Sequence, residues 1–418
     1  MHSSRKHDWG WMFLSVLFVA AVLLGVRYSS GILQTGFVFD EKYITVPIDN
    51  LIEHGWSVQN AIDFEETKGP AMIWPYAVLG DLFGGSLNAL RFVSVLCSIA
   101  CMGVLSFIAS LCGVRKSAHL IIALGWLLLP YSLVFSEIVM GEVSSMLLEL
   151  LAVAVFIKHR DHYKLLAPLC FCLLVAIALH SRIHVVAVVG AVCVVSFLRD
   201  GFRSWPWWVA GVLAGLLRIP LWIRWEGLVS PKYQNLHGLG FRLESLSYLA
   251  AALAPFVGIF AVCAWKHKEA RKWIFAAGAF AFLLVIVATP NLHIPESIDY
   301  DSPNERFQGI VGTAVQMIVS DQTIQKLLLA ILAAVGLAGL VGLQKLPQKN
   351  VASQLSFYTL TFGWLLYAFT QGFVFDRFLL VWAFLLPIVW WTQLPRTLFV
   401  LQSTAMLIIT LRLAVLWL

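Results

Sequence analysis

From Trp9 onward the chain is built from apolar runs long enough to cross a lipid bilayer. WGWMFLSVLFVAAVLLGV at 9–26 and LLLAILAAVGLAGLVGL at 327–343 contain no charged side chain. A hydrocarbon core about 30 Å thick takes roughly 20 apolar residues of helix. Lipid offers no partner to an open backbone, so segments of this kind fold as helices whose hydrogen bonds close internally. No other feature narrows the folds open to the chain as far.

Composition agrees. Of 418 residues, 60% are hydrophobic and 12% charged, far from the usage of water-soluble domains. The runs predict a single all-α polytopic domain over 1–418 with about thirteen transmembrane helices. They fall near 9–26, 88–112, 118–135, 136–157, 165–180, 183–198, 205–223, 245–265, 273–289, 326–343, 352–371, 377–393 and 398–417. With the amino end on the cytoplasmic side, alternate connections carry 16 of the 29 basic residues and only four acids. The formal charge of +6 therefore marks cytoplasmic loops, and nucleic acid is not an expected partner. The first run lacks a small-residue cleavage site and is expected to be a retained helix.

The same alternation puts 17 of the 23 acids on the far side or at its membrane edge. Two long outer segments hold most of them, one over 28–87 and one over 290–325. Apolar pieces such as AMIWPYAVLGDLFG predict short interfacial helices within the first. No internal repeat or low-complexity tract is visible, and the seven cysteines carry no CxxC or disulfide spacing.

Asp40 and Glu41 stand side by side about ten residues beyond the first run, flanked by Phe37, Val38, Phe39 and Tyr43. An apolar setting raises a carboxyl pKa and a nearby cation lowers it, which together give the poise of an acid–base group. A solvated loop pair is the plain alternative. The HSRIH turn presents His180, Arg182 and His184, donors suited to a phosphate or to sugar hydroxyls, or to lipid headgroups. Glu142, Ser145 and Glu149 share one helix face, which suits an internal pair or a cavity lining. The second outer segment holds His293, Glu296, Asp299, Asp301, Glu305 and Arg306. It is expected to form a mobile flap, with Arg306 adding charge. Its histidine and acids also compose a candidate divalent-cation set, though without metal-specific spacing.

Taken in order, several stretches resemble the GT-C superfamily of membrane glycosyltransferases. They are the acidic pair after the first helix, the Lys68-Gly69-Pro70 turn in ETKGPAMIWPY, LFGGSLNALRFVSVL, FSEIVMGE, HSRIH and FDRFLLVWAFLLP. Bacterial relatives of protein O-mannosyltransferases and of the lipid A aminoarabinose transferase carry the most similar pattern. The resemblance implies transfer of a sugar from a polyprenyl-phosphate donor to a hydroxyl of a lipid, glycan or protein acceptor on the non-cytoplasmic face. Asp40 matches the family's base in an inverting displacement, with Glu41 as second candidate. Lys68 and Arg377 match the cations that hold the lipid phosphate, with Arg182 and Arg306 as further candidates. Glu137 matches an acid that binds acceptor or sugar, and His184 and Tyr43 line the same region. Asp376 is placed to orient Arg377.

Two other classes share the topology. A transporter places ionisable groups at the bilayer midplane, often in matching halves, and a flippase for a lipid-linked sugar shares the cations without needing a base. Within the family, a dolichol-phosphate-dependent glucosyltransferase of the endoplasmic reticulum is the runner-up. The absence of any Asn-X-Ser/Thr sequon leans toward a bacterial inner membrane.

Overall fold

The computed structural model describes residues 9–38, 40–63, 69–161, 165–234, 238–292, 309–347, 350–369 and 374–418. Among these the chain is helical, and no strand forms. Helix α1 (Trp9–Ser29) is followed by the short helices α2 (Glu41–His54), α3 (Val58–Asp63) and α4 (Pro70–Leu82), and then by α5 (Leu87–Leu111). Among the described residues, six helical stretches are long and apolar enough to cross a membrane: 9–29, 87–111, 183–225, 268–287, 322–344 and 396–416. The protein is an integral membrane protein by this criterion, although the six fall short of the thirteen crossings expected. The 183–225 stretch folds back at Gly201 (φ +56), and Trp208 Nε1 donates to the Cys193 carbonyl at 3.2 Å across the two arms.

The expected span 118–135 is interrupted. Helix α6 (His119–Leu127) stops, Tyr131 adopts φ +68, and the chain restarts as α7 (Ser132–Glu137). A left-handed residue cannot continue a right-handed helix, so the run breaks despite its apolar composition. Gly141 (φ +75) makes a second break before α8 (Glu142–His159), where a Cβ would lie 2.0 Å from Met72 Sδ. The expected span 377–393 likewise resolves into a 3₁₀ turn (Asp376–Leu379) and helices Leu380–Ala383 and Leu386–Gln393. Pro387 opens the last of these, where its missing N–H costs nothing.

Outward faces confirm the solvent. Phe13, Leu17, Phe275, Leu283, Val400 and Ile408 are exposed on long helices that water would not tolerate in this number. Inside, small residues let helices touch backbone to backbone. A Cβ at Gly336, Gly339 or Gly342 would lie 2.0, 2.3 or 2.5 Å from the carbonyls of Ala250, Val257 and Phe260. Helix 322–344 therefore seats directly on segment 243–264, a mode of packing favoured where no hydrophobic force drives helices together. Its start is fixed by Asp321, whose Oδ1 accepts from Thr323 N and Ile324 N at 2.9 and 3.0 Å.

The bundle has two chemically distinct ends. At one, residues 32–38, Asp40, Glu41, Gly69, the HSRIH turn, Tyr131 and Asp376–Arg377 are joined by the contacts described below. At the other, a cavity of about 420 Å³ is lined in part by Cys112, Arg160, Arg199 and Asn350.

Candidate functional site

The site is organised around a residue to which the sequence reading gave no role, although it lies within LFGGSLNALRFVSVL. Arg91 lies in the second turn of α5, fully buried, and its guanidinium collects the connection that follows α1. Nη1 donates to the carbonyls of Ile32 (2.6 Å) and Thr35 (3.2 Å), and Nη2 to that of Gly36 (2.6 Å). Nε and Nη2 form a fork on Glu41, to Oε1 at 3.0 Å and Oε2 at 2.6 Å. Glu41 also accepts from the backbone N–H of Val38 at 2.8 Å and of Val139 at 2.9 Å, and it is 0% exposed. Both of its oxygens are engaged, so this carboxylate ties the connection to α5 and to the break after α7. It has no face left to offer a substrate.

Its neighbour differs. Asp40, at the start of α2, keeps 20% side-chain exposure, and its Oδ2 lies 3.2 Å from Arg377 Nη2, 337 positions along the chain. Arg377 is held against Phe375 and Phe378, with ring centroids 4.5 and 5.5 Å from its guanidinium carbon. Asp376 turns the opposite way, accepting from Tyr131 Oη at 2.6 Å and from Val311 N at 3.0 Å. Gly309 makes room for it: a Cβ there would be 1.8 Å from Asp376 Oδ1. The left-handed Tyr131 is thus held by a carboxylate 245 positions away that also fixes the 3₁₀ turn carrying Arg377.

Arg182 sits nearby. It forms a short ion pair with Glu142 and donates to the Met140 carbonyl at 3.3 Å. Tyr367 stacks on Phe378 at 5.2 Å and meets Trp382 at 5.4 Å, and Trp382 lies 6.0 Å from the His184 ring, so one aromatic wall joins the HSRIH turn to the turn carrying Arg377. His184 is buried beside Arg182, and its carbonyl accepts from Trp382 Nε1 at 3.2 Å. Tyr43 is 37% exposed and carries Lys42 Nζ 4.7 Å from its ring centre. Asp63, at the end of α3, is held below the usual carboxylate range by hydrogen bonds from Gln59 and from Arg224. The latter contact docks the first connection on helix Ile219–Trp225.

Other expected residues lie elsewhere or beyond view. Glu137 is 0% exposed and sits 3.5 Å from Arg27 Nη1, within reach of the Arg91 charge, so it is packed behind the Glu41 fork and has no surface for an acceptor. Ser145 donates to Glu149 Oε1 at 3.3 Å inside the bundle, while Glu142 turns to Arg182. Lys68, Arg306, His293, Glu296 and Asp299 lie outside the described residues, as do residues 293–308 of the expected flap. Gly69 is seated on the HSRIH turn: its N donates to the Ser181 carbonyl at 2.9 Å, and a Cβ on it would be 1.7 Å from the His180 carbonyl oxygen. Among the described residues no group of three His, Cys, Asp or Glu side chains is arranged to hold a metal ion.

No protein-family model, curated protein or solved structure matches the chain.

Proposed function

We propose that the protein is a membrane-embedded glycosyltransferase of GT-C type that moves a sugar from a polyprenyl-phosphate donor to an acceptor hydroxyl. The observation that carries the reading is the Asp40–Arg377 contact at 3.2 Å. It joins an acid following the first helix to an arginine near the other end of the chain, in a cluster that includes Arg182. In this reading the bundle makes thirteen crossings, the cluster faces the extracytoplasmic side, and the membrane is the bacterial inner membrane.

Asp40 serves as general base. It takes the acceptor O–H proton as that oxygen forms its bond to the anomeric carbon. The bond from that carbon to the phosphate oxygen breaks on the opposite face, inverting the configuration. Polyprenyl phosphate leaves with the electron pair, and Arg377, Arg182, Lys68 and Arg306 neutralise the charge that grows on it. The arriving phosphate competes with Asp40 for Arg377. Donor binding thereby loosens the ion pair and raises the basicity of the carboxylate when it is needed. Glu41 positions Asp40 through Arg91 and does not itself react.

Asp40→Asn tests this. Transfer of a radiolabelled sugar from its polyprenyl-phosphate donor is expected to fall about 100- to 10,000-fold, the usual worth of a positioned base. Donor binding should be retained. Unchanged transfer would remove Asp40 from the chemistry, and loss of donor binding with it would point to a carrier of lipid-linked sugars.

A further inference from the structure

Arg218 lies between helices Trp205–Leu216 and Ile219–Trp225, and it is 2% exposed. Its situation differs from that of the chain's other buried arginines. Arg27 faces Glu137, Arg91 faces Glu41 and Arg377 faces Asp40. Among the described residues Arg218 has no carboxylate and no hydrogen-bond acceptor. Nε and Nη1 are sealed from solvent without a partner, and the Trp222 ring centre lies 6.0 Å from its guanidinium carbon. Trp222 Nε1 is also sealed and unpartnered, and so is Nε2 of His184.

These groups are not scattered. The charges of Arg218 and Arg182 both reach His184, and Arg182 shares Tyr367 with Arg377. Arg218 and Arg182 thus both lie within electrostatic range of His184, whose ring lies 6.0 Å from that of Trp382. A buried guanidinium without a counter-charge is strongly disfavoured, because the desolvation of the ion is not offset. Favourable placement near the C-terminal end of helix 205–216 recovers only a small part of this. Arg218 Nε and Nη1 and Trp222 Nε1 are sealed donors with no acceptor among the described residues, a set suited to an anion.

We propose that Arg218, Trp222 and His184 form one wall of an oxyanion site, completed by Arg182, that takes the phosphate of a phosphate ester. The anion requirement stands on a guanidinium with no counter-charge among the described residues, and the choice of phosphate rests on the transferase reading above. Both a lipid-borne phosphate and a free one have the required chemistry.

The test uses the full chain in detergent with farnesyl phosphate, farnesol and inorganic phosphate as probes, followed by native mass spectrometry and thermal unfolding. The parent should bind farnesyl phosphate at least tenfold tighter than farnesol. Arg218→Gln and Arg218→Met should lose that preference, and Arg218→Lys should recover part of it. Without phosphate, Arg218→Met should melt no lower than the parent, since it removes an uncompensated charge. A purely structural arginine gives the reverse pattern, a lower melting point with the preference intact, and that result overturns the proposal. So does a parent that binds farnesol and farnesyl phosphate alike. Competition by millimolar inorganic phosphate that disappears in Arg218→Gln supports the site and assigns it to the free anion. Arg218-dependent phosphate binding with no sugar transfer from any donor would leave the site standing and the transferase reading refuted. Transfer that survives Arg218→Gln unchanged would do the opposite.

Discussion

Arg91 and Arg218 show how differently two sealed guanidinium groups can be treated within one bundle. Arg91 has its donors matched by three carbonyls and a carboxylate. Removing one partner of such a pair leaves the other charged and buried, which typically costs about 3–5 kcal/mol. Arg91→Ala is expected to destabilise by that order, read as a loss of denaturant midpoint in detergent. Arg91→Lys should rescue little, because an ammonium cannot form the fork. Activity should fall in both variants, since Asp40 loses its anchored neighbour. The acidic pair was legible in the sequence as two carboxylates following an apolar run. The division of labour between them was not, because it depends on an arginine 50 positions on. Tyr131 and Arg218 were illegible for a related reason. Their significance lies in a partner 245 positions away in one case and in the lack of one among the described residues in the other.

Elements that periodicity and length determine were readable as such, including the long apolar helices and the short helices of the first connection. The breaks were not. A run such as HLIIALGWLLLPYSLVFSE looks like one span by hydropathy, yet it breaks at Pro130, which cannot continue the helix, and at the left-handed Tyr131. The seam of Gly336, Gly339 and Gly342 hides in a similar way, since glycine is ordinary in membrane helices until its neighbour is known. Gly339→Leu must push a side chain into the Val257 carbonyl 2.3 Å from the new Cβ. Overpacking of this kind costs about 1–3 kcal/mol or more, and thermal unfolding should register it. Gly103→Ala is the control, because its Cβ would meet Val16 at an ordinary 3.7 Å and the melting point should hold.

At the scale of the molecule, the membrane class follows directly from apolar run length, whereas the assembly of the charged end required the fold. The orientation expected from the basic loops has a direct measurement. Gln59, exposed on α3, and Lys268, exposed at the start of helix Lys268–Val287, lie on opposite sides in that scheme. In intact cells an impermeant maleimide should label Gln59→Cys well above the parent and leave Lys268→Cys at the parental level, with both labelled after lysis. Inverted labelling would place the Asp40–Arg377 cluster on the cytoplasmic face.

The connection between α1 and α5 is fastened independently at its two extremities, by the Glu41–Arg91 fork and by the hydrogen bond from Gly69 to Ser181. Between them Gly55, Trp56 and Ser57 are exposed, and Asn60 Nδ2 bridges to the carbonyls of His54 and Gly55 at 3.1 and 2.9 Å. Continuity of the polypeptide at this point is therefore dispensable for holding the halves together. Coexpressed as separate chains ending at Gly55 and beginning at Trp56, the two fragments should copurify as a complex, held by the Glu41 fork together with the Arg27–Glu137 pair and the packing of α1 on α5.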